Sequence, residues 1–124
     1  MTLKECYQRF WGDFEDVVGR LGSESFVERF LLRFPDDKSY GELNAALRSG
    51  DREAAFRSAH TLKGLAFTLG ITPIGRYASE ATELLRSAEK IPDELYPICK
   101  SIDEYYEKTV LAISEYLGDK NQIL

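Results

Sequence analysis

At 124 residues and a net charge of −5, the chain is long enough for one domain with its own core. It is too acidic for nucleic acid or an anionic membrane surface to be its main partner. No apolar run approaches the length of about twenty residues that spans a bilayer, and Met1-Thr2-Leu3-Lys4-Glu5 does not begin a signal peptide, so a cytoplasmic location is expected.

The pattern along the chain is helical. Leu3, Cys6, Phe10, Phe14, Val17 and Leu21 share one side of a first helix expected from about Leu3 to Arg20 and closed by Gly22. Ser23 is suited to cap a second helix through about Arg33, burying Phe26, Phe30 and Leu31 or Phe34, before Pro35-Asp36-Asp37 interrupts it. Ser39 with Glu42 has the spacing of a capping box for a short third segment ending near Ser49-Gly50, with Leu43, Ala46 and Leu47 on its apolar side. Asp51 opens the next helix, which should run to about Leu69 and stop at Gly70 in a left-handed turn. Thr72-Pro73 reads as cap and first-turn proline of a helix to about Glu89, lined by Ile74, Tyr77, Ala78, Ala81, Leu84 and Leu85. After Ile91-Pro92 a last helix is expected from about Asp93 to Leu117, with Ile98, Ile102, Tyr105, Ile113 and Tyr116 inward and Gly118 at its end; Pro97 must fall in or before its first turn. Sustained two-residue alternation is missing, so a sheet is not expected, and short connections between amphipathic helices predict an all-α, up-down-up-down antiparallel four-helix bundle. Residues 1–124 are read as one such domain, with the histidine helix at about 52–69.

The only histidine, His60, lies in Ala59-His60-Thr61-Leu62-Lys63-Gly64. Ala55, Ala59, Leu62, Ala66 and Leu69 recur at spacings of four and three and form the core stripe of this helix. At 100° per residue, His60 falls about 160° from Leu62, on the far side from that stripe. Glu53, Arg57 and Gly64 share the outward side, and Lys63 flanks it. Lys63 and Gly64 are three and four residues on, so both lie one turn above His60. The result is an imidazole beside a cation and a bare stretch of backbone. An imidazole presents a neutral nitrogen nucleophile near neutral pH without a separate base. Lysine suits a phosphate as a point charge. Gly64 costs the helix about 1 kcal/mol relative to alanine, and because it faces away from the core that cost points to clearance for a partner rather than to packing.

The string His60-x-x-Lys63-Gly64 with Gly70 ten residues after the histidine, on a small acidic helical chain, resembles the histidine phosphotransfer (HPt) domain of phosphorelays over roughly Ser23 to Gly118. The resemblance implies the four-helix core, with an additional N-terminal helix packed across one end and the segments flanking Pro35 together supplying one kinked rod. It implies that His60 accepts a phosphoryl group from the phosphoaspartate of a receiver domain in a hybrid histidine kinase and passes it to the receiver of a response regulator. Lys63 would then steady the phosphoryl group, and Gly64 would leave room for the partner's loop. The alternatives are an adaptor that binds receivers without relaying, and a module cut from a larger kinase; Met1 and the polar run Asp119-Lys120-Asn121-Gln122 are read as the ends of a free-standing protein.

Phe56 and Phe67 also fall about 120° to 140° from Leu62. Large aromatics there are candidates for receiver docking, Phe67 above all. Arg57 is a candidate partner contact or the ion-pair partner of Glu53. Glu53 and Glu83 read as ordinary helix-surface charges, and Gly70 as a helix terminator rather than a site residue. A glycine-rich phosphate loop is missing, so the chain is expected to be a phosphocarrier and not an enzyme. Cys6 and Cys99 stand alone and, with a single histidine, make no structural zinc site; both are expected as reduced packing thiols, with no metal and no cofactor. A solvated single bundle is expected to be monomeric.

Overall fold

In the computed structural model, which describes residues 1–122, helices follow one another with no strand among those residues. They are α1 (Leu3–Arg9), α2 (Phe14–Leu21), α3 (Glu24–Leu31), α4 (Ser39–Ser49), α5 (Arg52–Thr68), α6 (Thr72–Arg86) and α7 (Leu95–Gln122), with a 3-10 turn at Phe34–Asp36 between α3 and α4. Tight connections reverse the chain at Gly50-Asp51 and at Leu69–Ile71, so α4, α5 and α6 pack as antiparallel neighbours and α7 returns along α6. The kinked rod made by α3 and α4 meets α7 and closes the bundle. Tyr40 stacks on Tyr106 with ring centroids 3.7 Å apart and donates to Asp103 at 2.5 Å, while Glu28 accepts from both Tyr116 and Lys120.

The helix that carries His60 is defined at both ends by short-range chemistry. Asp51 Oδ1 accepts from the Ala54 N–H at 3.0 Å, satisfying one of the free donors of the first turn. At the other end Gly70 has φ of +71°, a conformation costly for any residue with a Cβ. Arg20 of α2 adds to this end by donating to the carbonyls of Phe67 at 2.8 Å and Thr68 at 3.2 Å. Ala55, Ala59, Leu62, Ala66 and Leu69 are all buried, as their spacing predicts.

The N-terminal segment departs from the expected single helix. It breaks at Phe10–Asp13, where Trp11 has φ of +56°, and restarts at Asp13, whose carboxylate accepts from the Asp16 N–H. The break fits this segment onto the α5–α6 turn. Tyr7 donates to the Leu69 carbonyl at 2.6 Å, and the Asp13 N–H donates to the Gly70 carbonyl at 2.9 Å instead of continuing a helical ladder. Gly12 is held so closely that a Cβ there would come within 2.5 Å of the Tyr7 ring and 2.8 Å of the Gly70 carbonyl oxygen.

Other boundaries shift for equally local reasons. In α3 it is Val27 and Leu31, with Phe34 beyond, that enter the core; Phe26 and Phe30, expected inside, are 47% and 41% exposed and stack on each other outside it. The expected capping box at Ser39 and Glu42 does not form. Ser39 is already helical, and Asp37 supplies the acceptor for its N–H at 2.8 Å. Thr72 begins α6 without acting as its side-chain cap, Pro73 sits in the first turn, and the helix ends at Arg86, three residues before the expected Glu89. The last helix runs through Gly118 to Gln122 because its end is anchored. Lys120 reaches Glu28, and Asp119 pairs with the Met1 ammonium at 2.8 Å. Pro97 lies in its first turn, where no intrahelical N–H is required.

Candidate functional site

His60 sits near the middle of α5 with its imidazole exposed, and among the described residues it makes no hydrogen bond or ion pair. Lys63 is half-buried, and no carboxylate lies within ion-pair distance of its ammonium among those residues. Gly64 is exposed, and a Cβ built on it would meet nothing within 4 Å, so its missing side chain serves no packing need inside the bundle. Side chains on a helix lean toward its N-terminus. The Lys63 side chain therefore leans back over the turn of His60, and the imidazole leans toward Phe56 and away from Gly64. Backbone beside the imidazole is left bare at Gly64, with the Lys63 side chain one turn away.

Phe56 differs from the outward-facing anchor that its wheel position predicts. It is half-buried against the core, and its ring lies parallel to that of His60, with centroids 6.1 Å apart and planes 7° apart. The guanidinium of Arg86, from α6, lies over the same ring at 5.3 Å. Arg86 is fixed by two hydrogen bonds to Glu83, at 3.1 and 3.2 Å. These bonds and the charge of Arg86, with that of Lys63 adding, hold the Glu83 carboxyl below the usual carboxylate range. Glu83 and Arg86 therefore belong to the surroundings of the histidine, which sequence reading missed. They lie more than twenty residues further on, and only the packing of α6 on α5 brings them there.

Arg57 pairs with Glu53 at 3.2 Å across one exposed turn. Phe67, two turns beyond His60, is 42% exposed. Its other side rests on α6 at Gly75, where a Cβ would come within 2.9 Å of the ring. Phe67 is thus both supported from below and open above. Cys6 and Cys99 are buried, remote from this face, and burial pushes both thiols up to about 11.

An exposed histidine whose ring nitrogens have no partner among the described residues, a lysine one turn away and a bare glycine beside it, on a long helix of an antiparallel bundle, define the class to which such a chain belongs. The Hpt domain family model matches residues 25–108, from α3 through the first half of α7 and including all of α5. The protein belongs to the histidine phosphotransfer domain family. No curated protein and no solved structure matches the chain. Members of this family are phosphocarrier modules, not kinases; they act in two-component signalling and interact with receiver domains. Helices α1 and α2 lie outside the matched stretch. No helix among the described residues is long and apolar enough to cross a membrane.

Proposed function

We propose that this protein is a phosphorelay intermediate that takes a phosphoryl group onto His60 from the phosphoaspartate of a hybrid histidine kinase receiver and hands it to the receiver of a response regulator. One observation carries this reading: among the described residues the sole histidine is exposed and unbonded, and it is flanked by an unpaired Lys63 and a bare Gly64. In the forward step the lone pair of one ring nitrogen attacks phosphorus. The N–P bond forms as the P–O bond to the aspartyl oxygen breaks, the aspartate leaves as a carboxylate, and the proton on the other ring nitrogen passes to solvent. The reverse step regenerates the phosphoaspartate on the next receiver.

Lys63 offsets charge on the phosphoryl oxygens in both directions. Gly64 gives the receiver's loop room to bring its aspartate in line. Phe67, and Arg57 where it can leave Glu53, supply contacts at the edge of the docking surface. The divalent cation and acidic cluster that activate the aspartate belong to the receiver, so the chain itself needs no cofactor. Residues 1–124 are read as one unit of this kind, working as a cytoplasmic monomer.

Incubation with a phosphorylated receiver tests the proposal. It should give an acid-labile, alkali-stable label, and a folded His60→Gln variant should take none. Label retained on that variant would remove His60 from the reaction. Receiver binding without any transfer by the unaltered protein would favour the adaptor reading.

A further inference from the structure

Phe56 was expected to dock a partner, but it lies under Arg86 and against the core, with its ring parallel to His60. An aromatic in that position has little face left to offer a receiver. Its contacts are instead made within the chain, from Glu83 to Arg86, from Arg86 to the ring, and from the ring to the imidazole. We propose that Phe56 is a positioning residue for His60, a platform that the Glu83–Arg86 pair of α6 holds in place and against which the imidazole is oriented for attack on phosphorus. The proposal rests on the reading of His60 as the phosphoryl acceptor.

An exposed histidine on a helix is free to sample several side-chain rotamers, and only some of them aim a nitrogen lone pair along the line of transfer. Residues four apart on a helix are neighbours, and parallel rings with centroids about 4.5 to 7 Å apart attract one another in an offset stack. A phenylalanine resting on the core moves less than the imidazole does, so the stack transfers its rigidity to the histidine. Arg86 adds a second hold by lying over the ring, where its cation is attracted to the negative face of the aromatic. Glu83 keeps the guanidinium in that place through two bonds. The arrangement binds nothing itself, and its expected effect is on the rate of the chemical step.

That distinction makes the proposal separable from docking. A small phosphodonor such as phosphoramidate needs no protein surface: the donor's P–N bond breaks, ammonia leaves, and the N–P bond to the imidazole forms. Phe56→Leu keeps the apolar bulk against the core but removes the ring. It should slow labelling by phosphoramidate about five- to tenfold, leave the dissociation constant for a receiver unchanged, and abolish the ring-current shift of the His60 carbon-bound protons in NMR spectra. Phe56→Tyr should restore both rate and shift. Arg86→Met, on an exposed helix face, should move the rate and the shift in the same direction by a smaller amount, and it decides the matter if Phe56→Leu fails to fold. Unchanged phosphoramidate labelling with weaker receiver binding would return Phe56 to a docking role, and unchanged His60 ring shifts in either variant would overturn the platform. If the unaltered protein takes no label from any donor while the ring shifts respond as described, the acceptor reading fails and the stack stands as structure alone.

Discussion

Lys63 and Gly64 flank the same imidazole and differ in what they should do when replaced. The Lys63 ammonium has no carboxylate partner among the described residues, and its removal breaks no ion pair. Substitutions at such positions usually change stability by less than about 0.5 kcal/mol. Lys63→Ala should therefore leave the melting temperature almost unchanged while slowing transfer from a receiver or shortening the lifetime of the phosphohistidine, as measured by label decay. A collapsed melting temperature with normal transfer would make Lys63 structural. Gly64 occupies a helix interior with open space where a Cβ would go. Gly64→Ala should stabilise the fold by up to about 1 kcal/mol, visible as a rise of about 3–5 °C in melting temperature. Gly64→Gln, equally well folded, should block receiver access; normal transfer by that variant would show that clearance is not the glycine's purpose.

At the scale of elements, the break between α1 and α2 fixes how the N-terminal segment covers the end of the α5–α6 hairpin. Its tightest point is Gly12, wedged between the Tyr7 and Phe10 rings and the Gly70 carbonyl. A methyl group there has to displace backbone as well as side chains, so Gly12→Ala should cost about 1–3 kcal/mol as an overpacked site. Gly19→Ala, where a Cβ meets nothing within 4 Å, is the control and should be neutral or stabilising in the same urea titration. Equal effects at the two glycines would mean that the N-terminal segment is not packed as described. Gly75 follows the same logic on α6, since its missing Cβ is what seats the Phe67 ring.

For the whole molecule, the two thiols connect packing to pH. Burial pushes Cys6 and Cys99 up to about 11, whereas an unfolded thiol ionises near about 8.5. Between those values the unfolded chain releases both protons and the folded chain keeps them. Stability is therefore complete below about pH 8.5 and falls as pH rises toward 11, by about 1.4 kcal/mol per pH unit for each thiol. Urea unfolding at pH 8 and pH 10.5 should show this fall, and a Cys6→Ala/Cys99→Ala variant, though less stable at pH 8, should show a flatter slope. The buried Tyr7 phenol is pushed in the same direction and should steepen the loss at the alkaline end.

Much of the candidate site was legible in the sequence because it depends on one helix and its immediate ends. The spacing of Ala55, Ala59, Leu62, Ala66 and Leu69 determined which face of α5 is buried and hence that His60 points outward. Asp51 and Gly70 determined where that helix starts and stops, since capping and a left-handed turn are matters of a few neighbouring residues. Helical periodicity alone also determined the all-α class. It did not distinguish one N-terminal helix from two, because Leu3, Cys6 and Phe10 continue in register into Phe14, Val17 and Leu21. Trp11-Gly12-Asp13 held the local signal for a break, a glycine followed by a capping aspartate. The need for that break came from the α5–α6 turn, which takes hydrogen bonds from Tyr7 and Asp13. Tertiary structure likewise decided which side of α3 faces inward, with Val27 and Leu31 entering the shared core while Phe26 and Phe30 stay exposed. It also carried Glu83 and Arg86 to the turn of His60 and laid Arg86 over the ring of Phe56, whose place one turn before His60 the sequence already gave. Contacts of this kind depend on which helices pack together, and no spacing within a single helix encodes that.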